Sequence, residues 1–156
     1  LQICVDLVRR FFSSLRQRPI AINMASVKII SWITAIISSV IMLQTLYFKF
    51  TAAPESVYIF TQLGLEPFGR IGVGVAELIA SLLLLIPKRR FLGALISVGL
   101  MIGAVIGHLT KLGIEVMNDG GYLFALCLIV LTSSFICLYL ERKQLTSFLK
   151  RVFTSR

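Results

Sequence analysis

Four long apolar stretches set the limits on what this chain folds into. They cover residues 29–48, 71–86, 91–109 and 122–140. Each is close to the ~17–25 residues a helix needs to cross a bilayer. In lipid every backbone amide must be satisfied within its own segment, so the stretches read as helices, and the alternation of a membrane barrel is absent. Of the 156 residues, 57% are hydrophobic and 15% are charged, and the mean hydropathy is +0.91. A water-facing domain of this length cannot enclose that much apolar surface. The expected fold is all-α: an integral membrane four-helix bundle.

The cations set its orientation. Thirteen lie before the first span, in the 88–90 turn or after the last span; only Lys49, Arg70 and Lys111 lie on the opposite side. The positive-inside rule places both termini and the 88–90 turn in the cytoplasm, in a cytoplasmic (inner) membrane. The net charge of +9 therefore reads as membrane flanks, and a nucleic-acid partner is not expected, because the cations are not interleaved with exposed aromatics. Trp32 and Tyr139 mark the inner interface, Tyr47 and Tyr122 the outer one.

The chain divides into three parts. Residues 24–140 form the membrane domain. Residues 1–23 and 141–156 read as basic amphipathic segments suited to anionic lipid at the inner surface. Met24, just ahead of Lys28, would serve as an initiator, which would put 1–23 upstream of the protein proper. The 50–70 loop predicts a short interfacial helix over 54–63, with Pro54 at its first position, Glu55 in its first turn and Gly64 at its stop.

Two features mark helix interiors. Gly99, Gly103 and Gly107 recur every fourth residue and predict a smooth face for close packing, within the chain or in a homo-oligomer. Glu77 is the only charge inside its span, roughly 9 Å below the outer end. A carboxylate deep in a membrane costs about 2.5–3.5 kcal/mol, so Glu77 should face the bundle and find a partner. Gln44, Lys49 and His108 share its level on other helices. The four residues are the candidate ligand-binding or ion-pair site, and either role fits them.

Several chemistries lack their residues. Cys4, Cys127 and Cys137 contain no C-x-x-C pair, one histidine cannot make a bis-histidine haem site, and no phosphate loop or dinucleotide fingerprint occurs. Neither a metal site nor a covalent cofactor is expected, and catalytic residues cannot be assigned.

LYFKFT (46–51), LGLEPFGRIGVGVAELIASLLLLIP (63–87) and GALISVGLMIGAVIGHLTKLGI (93–114) resemble the DoxX-like family of bacterial four-helix membrane proteins. The resemblance implies a compact bundle in which Lys49, Glu77 and His108 are the shared polar positions. It also implies an accessory protein that binds a quinone or lipid and assists a membrane redox complex, more than an enzyme in its own right. A proton-coupled transporter using Glu77, and an adaptor or chaperone gripping partner helices through the glycine face, are the alternatives.

Overall fold

The computed structural model describes residues 24–142 and 144. They form helix α1 (Met24–Phe50), the short α2 (Pro54–Gln62), α3 (Phe68–Leu85), α4 (Arg90–Gly107) and α5 (Tyr122–Leu140). A π-helical turn, His108–Leu112, continues α4. There is no strand among the described residues. Four segments are long and apolar enough to cross a membrane: Ala25–Phe50, Phe68–Leu85, Arg90–Leu112 and Tyr122–Leu140. The basic segments expected over 1–23 and 141–156 lie outside the described residues, apart from 141, 142 and 144.

The first and third spans are longer than their apolar runs, because Lys28, Lys49 and Lys111 continue the helices instead of ending them. Lysine stems pack along apolar surface while the ammonium reaches a polar level. The short helix falls where expected. Pro54 opens it, Glu55 sits in its first turn, and Gly64 leaves it at φ 73°, a left-handed conformation that favours glycine.

Sequential long helices run antiparallel and close into a ring in which α1 touches α3 and α5, and α4 touches α3 and α5. This is up-down-up-down topology with short connections. The loops 51–67 and 113–121 share the upper end; the 86–89 turn and the described termini share the lower end. Large apolar side chains such as Ile33, Val40, Ile79, Leu82, Ile102 and Phe135 point outward. The interior is small and partly polar. Ser38, Ser97 and Ser134 are buried, with Ser97 and Ser134 hydroxyls 2.7 Å apart and Ser134 donating to Ser38 at 3.0 Å. Small residues and buried hydroxyls between helices are how bundles pack where lipid surrounds them.

The tightest helix approach is at Gly93. A Cβ there would lie 2.5 Å from Leu84 N and 2.7 Å from Ala80 O, so only glycine lets α4 lie against α3. The glycine face expected over Gly99, Gly103 and Gly107 does not do this work. A Cβ at Gly99 or Gly103 meets nothing within 4 Å; at Gly107 it meets only side chains, Leu63 at 3.3 Å and Leu112 at 3.9 Å. Opposite Gly99 and Gly103 lies a cavity instead of a helix.

The lower end is closed by a buried cation. Arg90, expected among the solvated cations of the 88–90 turn, is 2% exposed. Its Nε donates to Leu84 O at 2.9 Å, and its Nη1 donates to Ser31 Oγ at 3.1 Å and lies 3.4 Å from Glu141 Oε1. The guanidinium sits 4.0 Å over the Trp32 ring. Glu141 also accepts from Ser31 at 2.6 Å and from Gln144 at 2.6 Å. These contacts tie α1, α3, α4 and α5 together at one level.

Candidate ligand-binding cavity

Glu77 sits in the third turn of α3, which begins at Phe68. The same helix register turns its carboxylate inward, and the residue is 4% exposed. Lys49, in the last turn of α1, brings Nζ to 2.9 Å from Glu77 Oε2. Thr45, one turn below Lys49 on the same face, shares its hydroxyl proton between Met42 O at 2.8 Å and the same Glu77 oxygen at 3.1 Å. A buried pair is tolerable when its remaining lone pairs and protons find partners, and Thr45 supplies one.

A second pair braces the first. Arg70, in the first turn of α3, holds Glu66 through Nε at 2.8 and 3.0 Å and through Nη2 at 2.8 Å. Its Nη1 donates to the Lys49 carbonyl, so the guanidinium ties the end of α1 to the start of α3. The bidentate fork suits a planar guanidinium and a carboxylate.

His108 stands where α4 widens into the π-helical turn, a feature frequent at functional sites. It is 6% exposed. Its Nδ1 lies 2.8 Å from Gly113 O, and its ring leans on Phe124 with centroids 5.2 Å apart. The adjoining loop is shaped by Asp119. Its Oδ1 accepts from Val116 N at 2.8 Å and Gly121 N at 2.9 Å, and its Oδ2 accepts from Leu123 N at 2.8 Å. Burial pushes the Asp119 carboxyl up, but these three amides and the nearby His108 outweigh it and leave the pKa below its ordinary value.

These groups border one cavity of about 580 Å³ in the upper half of the bundle, within the usual range of roughly 300–1,000 Å³ for ligand pockets. Its wall is mostly apolar, with Met42, Phe60, Leu100 and Leu126 among the lining; Lys49, Glu55, Glu77, His108 and Asp119 are among its polar residues. Buried Phe60 and Ser56 of α2 roof it. Exposed Gln44 and Phe48 on α1, and exposed Gly99 and Gly103 on α4, also border it, so the cavity reaches the flanks of the bundle.

All four residues singled out from the sequence border this cavity, and of the partners expected for Glu77 it is Lys49 that meets it. Lys49 and Thr45 hold Glu77; among the described residues, Gln44 and His108 make no hydrogen bond to it. Sequence reasoning passed over Thr45, Arg70 and Asp119. The i,i+4 spacing of Glu66 and Arg70 and of Thr45 and Lys49 was the available signal for two of them. A loop aspartate that caps its own turn leaves no periodic trace.

A four-helix membrane bundle with a charged, ligand-sized cavity between its upper loops is the class that this fold defines. The DoxX-like family matches residues 33–136, and the chain belongs to that family. No curated protein and no solved structure matches it.

Proposed function

We propose that this chain binds an amphiphilic small molecule, lipid-like or quinone-like, in the upper cavity and serves as an accessory to a membrane redox complex. The setting we propose is a bacterial cytoplasmic membrane, with both termini cytoplasmic and the cavity in the outer half. One observation carries the binding reading: a cavity of about 580 Å³ whose wall is mostly apolar and to which Lys49, Glu77 and His108 present polar groups. Apolar walls take a chain or ring, and a few placed polar groups fix a headgroup. Exposed borders at Gly99 and Gly103 give a membrane-dissolved molecule a sideways path. The redox association rests on the family resemblance alone.

Lipid extraction and native mass spectrometry of protein purified in mild detergent test the binding. The expected result is a retained small molecule in the wild type that is lost in Gly103→Phe, a variant that fills cavity space without touching a packed helix. A wild type with nothing bound, which also takes up no added amphiphile, overturns the reading. A photoreactive residue at exposed Phe48 tests the association; cross-linking in native membranes that captures no flavin, haem or quinone protein removes it.

A further inference from the structure

We propose that the cavity selects a hydroxyl-bearing headgroup, and that His108 Nε2 is the acceptor that reads it. This rests on the ligand-binding reading above and adds the chemical class of the ligand.

The imidazole is fixed by its other nitrogen. Nδ1 lies 2.8 Å from the Gly113 carbonyl. A carbonyl oxygen only accepts, so Nδ1 carries the proton, and in the neutral ring Nε2 is a bare acceptor. Among the described residues Nε2 has no hydrogen-bond partner, although the residue is only 6% exposed and borders the cavity. The Phe124 ring, 5.2 Å away, restrains the imidazole plane.

Glu77 supplies a second acceptor. Its Oε2 is occupied by Lys49 at 2.9 Å and Thr45 at 3.1 Å. Its Oε1 has no partner among the described residues. The Lys49 ammonium carries three donors and spends one on Glu77. Beside the Gln44, Glu55, Ser56, Asp119 and Tyr122 side chains that also line the cavity, these three residues therefore offer a cationic donor and two acceptors.

Headgroup chemistries differ in how they answer that set. A ketone, ester or ether oxygen satisfies the ammonium and leaves both acceptors dry. A carboxylate brings negative charge to Glu77 and has no donor for His108. A quaternary ammonium has no donor and faces Lys49. A hydroxyl has one donor and two lone pairs, so it answers either kind of partner. Leaving a buried acceptor unpaired lowers affinity by roughly tenfold or more. The favoured ligands are thus alcohols and phenols on an apolar body; for a quinone-like ligand, the favoured form is the reduced, dihydroxy one.

The test compares 4-nonylphenol with its methyl ether, binding to full-length protein in detergent, by native mass spectrometry and thermal shift. The wild type is expected to prefer the phenol by about tenfold. His108→Asn keeps an N–H near the Nδ1 position and loses Nε2; it should stay folded and bind both probes alike. His108→Gln places a polar atom near Nε2 and should retain part of the preference. Should His108→Asn fail to fold, the ¹⁵N shift of Nε2 in the wild type takes its place, moving with the phenol and not with the ether. Equal binding of phenol and ether to the wild type overturns the hydroxyl selection and leaves the ligand cavity standing. Preference for the phenol that persists in folded His108→Asn overturns the role of Nε2. Binding of neither probe overturns the selection together with the ligand reading.

Discussion

Lys49 Nζ meets Glu77 Oε2 at 2.9 Å with both side chains largely shielded, 13% and 5% exposed. The contact joins the last turn of α1 to the third turn of α3, and it puts a formal charge pair where each charge alone would be costly. Removing one partner strands the other. Lys49→Met and Glu77→Leu should each lower stability by about 3–5 kcal/mol, whereas the double variant should recover most of the loss. Thermal unfolding in a fixed detergent reads the cycle. Additive losses in the double variant would mean that the pair contributes no coupling.

At the other end of the bundle, Arg90→Lys keeps the charge but gives up the fork that reaches Leu84 O and Ser31 together, and most of the stacking on Trp32. A drop in melting temperature is expected. Glu141→Gln should lower it as well, because it leaves the Arg90 charge without its anion. Unchanged melting in both variants would remove the clamp.

The glycines should divide cleanly. Gly93→Ala forces a methyl against the backbone of Leu84 and Ala80 and should destabilise strongly or prevent folding. Gly103→Ala meets open space and should be neutral to slightly stabilising, since alanine is the better helix former by about 1 kcal/mol. Paired melting curves decide it; equal effects at the two sites would contradict the geometry.

The 113–121 loop should loosen in acid. The Asp119 pKa is depressed in the folded protein, so its contribution is fully present above the unfolded value of about 3.9 and is lost as pH falls through the lower folded value. Protection factors for the Val116, Gly121 and Leu123 amides should fall in that window. Asp119→Asn should flatten the pH dependence while keeping one acceptor oxygen, and Asp119→Ala, which removes the cap, should cost roughly 0.5–2 kcal/mol.

The thirteen-to-three division of cations predicts the sidedness. Reporter fusions after residue 144 and within 52–60 should report opposite compartments. The same compartment for both would contradict four crossings.

The spans were readable because length and apolarity alone define them, and the level of Glu77 was readable because a single charge in a greasy helix must go inward. What the carboxylate meets was less so. Lys49 was foreseeable at the same level, but Thr45 looks like any helical threonine until the register is known. The glycine repeat shows that one face of α4 is smooth; whether a helix or a void lies opposite depends on where α3 runs, and α3 approaches at Gly93, a single glycine without any repeat. Arg90 was hidden among three successive cations, since only the bundle end reveals which of them turns inward.

The reversal of side-chain character between rim and interior has a consequence for how sequences like this diverge. The bulky residues at Ile33, Val40, Leu82 and Phe135 face outward and fit no particular partner, so any apolar replacement serves. The small hydroxyls at Ser38, Ser97 and Ser134 are fitted to one another within a few tenths of an ångström of ideal contact. Substitutions should therefore accumulate fastest among the greasiest positions and slowest among the polar interior ones, the opposite of the pattern in a water-soluble bundle of the same topology.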